Sequence, residues 1–254
     1  MQIEIPSVPQ SKPIWGAALT VVFGLAIFIG YAIVQGIVAA FFALDQLTAN
    51  PNADLLQLAQ KLSSNGLMIS ISTVVSAIAG VGLICLVIKL RKGPSIQDYL
   101  QLKHLTGKMM IILCAIGFLL VSASAIINLV SGMSEDTGFT VQAYQTSVWP
   151  WLFGVAVVIF APAFEETFFR GFLFAGLSKS RLGVTGTIII TALIWSVLHL
   201  QYDLYGMATI MVLGIVLGYV RFKTGSLWGS LVIHSFWNLL TFISITLVVN
   251  GIVK

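Results

Sequence analysis

Seven stretches of this chain are apolar over a length that reaches or approaches what a bilayer-spanning helix needs: about 14–44, 66–90, 108–131, 148–178, 183–200, 204–222 and 226–252. Crossing the hydrocarbon core takes about 20 predominantly apolar residues in a helix. In hydrocarbon every backbone N–H and C=O must also find its partner inside the protein. These two conditions predict an all-α fold, a polytopic transmembrane helical bundle of about seven to eight membrane helices. The eighth comes from length, because the fourth and seventh stretches suffice for a tilted span or for a span plus a short extra helix. Composition points the same way. The chain is 58% hydrophobic and 9% charged, against about 25% charged in ordinary soluble domains, so it has too little polar surface to face water on all sides.

Turn residues separate the stretches, as at Asn50-Pro51-Asn52, Lys92-Gly93-Pro94, Ser134-Glu135-Asp136 and Thr224-Gly225-Ser226. There is no internal repeat and no low-complexity segment, so a single integral membrane domain accounts for the chain. Residues 1–147 supply the N-terminal transmembrane helices, and 148–254 hold most of the polar groups that a membrane span would not ordinarily carry. Residues 53–62 (ADLLQLAQKL) space their apolar positions as on one helix face, which predicts an interfacial or loop-packed helix. The apolar stretch after Lys12 is too long for a signal-peptide core and shows no small-residue cleavage site, so it reads as the first span.

The basic residues set an orientation. If the N-terminus is cytoplasmic and each stretch crosses once, Lys12, Lys89, Arg91, Lys92, Lys103, Lys108, Lys179, Arg181, Arg221 and Lys223 fall inside, while Lys61 and Lys254 fall outside. That asymmetry is what the positive-inside rule requires. It predicts a multi-pass protein with a cytoplasmic N-terminus, in the cell membrane if the source is bacterial. A net charge of +4 with no basic cluster on a soluble surface argues against a nucleic-acid partner. Cys85 and Cys114 lie in separate apolar stretches without CxxC spacing and read as small hydrophobes. Gly214 and Gly218 form a small-xxx-small pair, suited to tight packing within the bundle or to dimerisation.

Ionisable groups inside spans cost about 2.5–3.5 kcal/mol each on insertion scales and persist where they pair, face a cavity or do chemistry. Glu165, Glu166, Arg170, His199, His234 and the amide Asn238 are the candidates. Glu166 and Arg170, four apart, share a helix face and can form a supporting ion pair. Glu165 is turned about 100° from Glu166 and is left as a carboxylate without a local partner, available as a proton acceptor. Pro162 removes a backbone hydrogen bond just before the glutamates, which predicts a kink or opened turn. His234 and Asn238, also four apart, share one face of the last stretch. Each group alone has a packing explanation. Together they bring acid/base chemistry from three spans, with Glu165 and His199 placed to activate a water and His234 and Asn238 to stabilise an oxyanion.

Three motifs carry a resemblance: Glu165-Glu166-Thr167-Phe168-Phe169-Arg170 (EExxxR), Trp195 four residues before His199, and His234 to Asn238 (HxxxN) behind GSLWGSLVIH. In this order and spacing the chain resembles the CPBP family, the CaaX proteases and bacteriocin-processing enzymes also known as Abi proteins. The likeness covers roughly residues 148–245, which makes 148–254 a CPBP-like catalytic helical core. Trp195 stands where the family more often has phenylalanine and keeps an aromatic packing residue.

The resemblance implies an intramembrane endopeptidase, cutting a peptide bond within the membrane or near its cytoplasmic side. Glu165 would be the general base with His199 assisting. His234 and Asn238 would take the oxyanion role, with Glu166 and Arg170 in support. It also implies a peptide or protein substrate at the membrane, prenylated or bacteriocin-like, with the lipid bilayer as surroundings. A zinc ion on Glu165, His199 and His234 is one route. There is no HExxH signature, and direct hydrolysis by a glutamate-activated water, which requires no cofactor, is the preferred route. Two other classes use the same residues differently. One is a non-catalytic immunity or scaffold protein, and the other a proton-coupled transporter, for which paired broken helices in both halves are the mark.

Overall fold

Apolar runs become helices here because nothing else satisfies their backbone, and short polar side chains decide where several of them begin. The computed structural model describes residues 15–91, 93–132 and 137–252, and the following elements are those of the described residues. In chain order they are α1 (Ala17–Ala49), α2 (Leu55–Ser63), α3 (Gly66–Leu90), α4 (Ile96–Leu100) and α5 (Gly107–Ser131), then α6 (Gly138–Gln145), α7 (Pro150–Leu177), α8 (Gly183–Val197), α9 (Leu204–Thr224) and α10 (Leu227–Val249). Asp54, Asn65, Ser95, Thr106 and Asp203 cap the helices that follow them by accepting from first-turn N–H groups. Lys12, Lys92 and Lys254, which entered the orientation reading, and the turn residues Ser134, Glu135 and Asp136 lie outside the described residues.

Six of the described helices, α1, α3, α5, α7, α9 and α10, are long and apolar enough to cross a membrane. The protein is an integral multi-pass membrane protein. The stretch 183–200, read as a full span, is a shorter apolar helix of 15 residues, about 22 Å at about 1.5 Å per residue. The last stretch runs as one helix over Leu227–Val249 and yields no extra element. Residues 53–62 hold a helix, α2, with Leu58 and Leu62 buried.

The centre of the bundle is α7, which has half of its most apolar window buried, more than any other span. It packs on α1, α3 and α10, and α8 and α9 form a tight pair beside it. Gly214 and Gly218 of α9 make that pair close. A Cβ on either would stand about 3.0 Å from Ala192 or Ile188 of α8, so this small-residue stripe is occupied inside the bundle. Outward, α1 presents Val22, Leu25, Ile29, Ile33, Ile37 and Phe41, a stripe at helical spacing suited to lipid.

Two π-helical segments interrupt α7, Ala156–Phe160 and Thr167–Leu173. The first leads into Pro162. Ala161 N–H reaches Ala156 O, a span of five residues, so the next bond in that register would run from residue 162 to Val157 O. Proline has no N–H to make it. The opened turn predicted from Pro162 is this π segment, and α7 continues through it.

Candidate active site

Glu165 and Glu166 end the short α-helical piece Ala161–Glu166 between the two π segments. Consecutive helix positions differ by about 100°, so the carboxylates leave α7 on different sides. Glu165 lines a cavity of about 430 Å³, whose walls come from α3, α5, α6, α7, α9, α10 and the end of α8. His199, His234 and Asn238 line the same cavity. Glu166 is fully buried behind its wall, with Arg170 beside it.

Arg170 Nη1 donates to Glu166 Oε1 at 3.0 Å and Nη2 to the Gly214 carbonyl at 3.1 Å. Its guanidinium lies 4.7 Å from the Trp195 ring centroid. Glu166 Oε1 has a second neighbour, His234 Nδ1, at 3.0 Å. An ionised carboxylate only accepts hydrogen bonds, so in this contact Nδ1 carries the proton and the ring turns Nε2 toward Glu165, 3.9 Å from Oε2. Trp195 Nε1 donates to the same Oε2 at 2.6 Å. Each member of the buried pair therefore holds one of the two rings that meet Glu165: Arg170 lies over Trp195, and Glu166 binds His234.

His199 follows the last turn of α8, where backbone carbonyls lack helical partners. Its Nδ1 lies 2.7 Å from Trp195 O. A carbonyl can only accept, so Nδ1 is the protonated nitrogen and Nε2 is left for the cavity side. The Tyr202 ring lies nearly parallel to the imidazole, with centroids 6.3 Å apart. Asn238 Nδ2 donates to Val157 O at 2.8 Å, the carbonyl that Pro162 cannot serve. One hydrogen of the amide is spent there, and the second remains.

Sequence reasoning treated Trp195 as packing alone and missed its hydrogen bond to Glu165. The signal was present, because a buried indole usually finds an acceptor for its N–H and phenylalanine has none. The Gly214 and Val157 carbonyls left no trace in the sequence.

The zinc route needs a converging ligand set. Among the described residues no three of His, Cys, Asp and Glu stand together so as to hold a metal ion. Glu165 and His234 approach each other, while the Trp195 ring stands steeply inclined to both imidazoles, with centroids 5.2 Å from His199 and 5.1 Å from His234. As arranged, the three candidate ligands do not fit a shared zinc ion.

Fold and cavity define a polytopic helical bundle with acid/base groups gathered in its interior. Residues 147–240 match the family model described as Rce1-like, type II CAAX prenyl endopeptidase Rce1-like. This segment contains all three motifs, and the match bears out the resemblance read from them and supports a CAAX-protease-like intramembrane endopeptidase class. No curated protein and no solved structure matches the chain.

Proposed function

We propose that the protein is an intramembrane endopeptidase that hydrolyses a peptide bond with a water activated by Glu165. The observation that carries this reading is that Glu165 is the single carboxylate among the described residues lining the cavity, and it shares that cavity with His199, His234 and Asn238. Glu165 takes the proton of a water that His199 helps to hold, and the oxygen attacks the carbonyl carbon of the substrate. The oxyanion role falls to His234 and Asn238, the latter through the second hydrogen of its amide. The tetrahedral intermediate then collapses, the C–N bond breaks, and the proton on Glu165 passes to the leaving nitrogen. Glu166 and Arg170 keep Trp195 and His234 in place around the base.

The test is hydrolysis of a quenched-fluorescent peptide library by purified protein in liposomes. Glu165→Gln keeps the size of the side chain and removes the base, and general-base catalysis contributes about 10²- to 10⁴-fold, so turnover should fall by that order. Full activity in Glu165→Gln and His199→Ala would sink the mechanism. Activity is expected to persist in chelator. Stoichiometric zinc whose removal abolishes hydrolysis would overturn the glutamate route.

A further inference from the structure

The two ends of the bundle differ in charge, and the cavity belongs to one of them. At one end Arg91 lies over the Trp15 ring at 4.6 Å, Leu227 N–H donates to Gln101 O at 3.0 Å, and the Ser226 hydroxyl donates to Lys103 O at 2.6 Å. These contacts gather the start of α1, the end of α3, the link from α4 to α5 and the start of α10. Exposed Lys89, Arg91, Lys103, Lys108, Lys179 and Arg181 stand at this end, with Lys223 close by and Asp98 as the described acid. At the other end Lys61 Nζ donates to Gln46 Oε1 at 3.1 Å, Gly66 N–H donates to the Thr146 hydroxyl at 2.8 Å, and Thr140 meets the Tyr202 hydroxyl at 3.3 Å. Asp45, Asp54 and Asp203 stand there, with Lys61 as the described base.

The wall of the cavity runs from Glu165, Trp195 and His234 in the bundle interior to Asn128, Thr140 and Gln201 at the acidic end. Toward the basic end the space below Glu165 is filled. Glu166 and Arg170 are buried there, and Phe169, Phe172, Leu217 and Leu227 close the core around them. Tyr99 of α4, itself buried, adds a hydroxyl contact to Phe172 O at 3.4 Å.

We infer that the chamber opens to the extracytoplasmic side, because short loops rich in Lys and Arg stay in the cytoplasm and the cavity is closed toward those loops. Resting on the peptidase reading above, this names the substrate class. It is a peptide segment presented from outside, as in an exported peptide or the outer juxtamembrane part of a membrane protein, which departs from the cytoplasmic-side cleavage of a prenylated C-terminus that the family resemblance implies. The described lining holds hydroxyl, amide, imidazole and apolar groups, with Glu165 as its carboxylate and no Lys or Arg. The segment that fits is uncharged around the scissile bond.

Single cysteines test the opening. In a Cys85→Ser, Cys114→Ser background, Gln201→Cys and Ser244→Cys report the mouth and Lys103→Cys and Lys223→Cys the basic end. A membrane-impermeant maleimide should label the first pair in sealed right-side-out vesicles and the second pair only in inside-out vesicles. The reverse pattern, or equal labelling from both sides, overturns the inference and leaves the peptidase reading standing. Two mouth positions guard against one variant failing to fold. Single-span reporters carrying an uncharged segment on either the outer or the cytoplasmic side test the substrate. Glu165-dependent cleavage of the outer set supports the inference, and cleavage of the cytoplasmic set alone overturns it. If neither is cleaved while the thiols label as expected, the substrate class and the peptidase reading fail together, and the outward opening stands.

Discussion

Glu165 depends on groups that are themselves held by others. Its Oε2 takes a hydrogen bond from Trp195 at 2.6 Å, and a bond to a charged group contributes about 1.5–3 kcal/mol. Trp195→Phe keeps an aromatic ring at this buried position and removes the donor together with part of the indole's volume. On the proposed mechanism it should lower kcat/KM by about ten- to a hundredfold, since about 1.4 kcal/mol is tenfold in rate, with a modest fall in the unfolding temperature in detergent from the lost volume. The buried pair behind it calls for the opposite outcome. Arg170→Met strands Glu166 as an uncompensated charge, at about 3–5 kcal/mol. The double variant Glu166→Gln, Arg170→Met removes both charges and should unfold at a higher temperature than Arg170→Met alone. Equal unfolding temperatures would argue that the pair contributes little. The i, i+4 spacing of Glu166 and Arg170 was legible in the sequence, because a helix face is a local matter. That His234 shares the same carboxylate oxygen was not, because Glu166 and His234 lie 68 residues apart on different helices.

At the scale of the element, α7 is a membrane span with an opened turn, and a distant side chain repairs it. Val157 O loses its backbone donor at Pro162 and gains Asn238 Nδ2 at 2.8 Å, from a residue 81 positions later. An unsatisfied buried carbonyl costs about 1–3 kcal/mol, so Asn238→Ala should lower the unfolding temperature of the bundle. Pro162→Ala supplies an N–H at the gap. In the Asn238→Ala background it should restore part of the lost stability, and in the native background it should restore less. Additive effects of the two substitutions would separate Asn238 from the opened turn. The proline was visible in the sequence and the opened turn followed from it. Which group would answer the freed carbonyl depended on how α10 docks on α7.

The whole molecule holds its cavity by close approach of helices that have little else to specify them. Gly66, at the start of α3, sits where a Cβ would stand 1.7 Å from the Ala143 carbonyl oxygen, which is backbone of α6 and cannot swing aside. Gly66→Ala should therefore move α6, whose Thr140 lines the cavity mouth, and lower both the unfolding temperature and peptide turnover. Retained turnover at a lowered unfolding temperature would show that the α6 wall is not part of the working chamber. The membrane class, the all-helical fold and the approximate bounds of the long spans were determined by the sequence alone, because a bilayer acts on each segment separately through its length and apolarity. The placement of Glu165 in the cavity, of Glu166 behind it, and of Trp195 and His234 around the Glu165 carboxylate was decided only by tertiary structure. So was the end of the bundle toward which the chamber opens. Those features rest on contacts between helices 30 to 81 residues apart in the chain, and no local pattern of hydrophobicity encodes which faces of two apolar helices will meet.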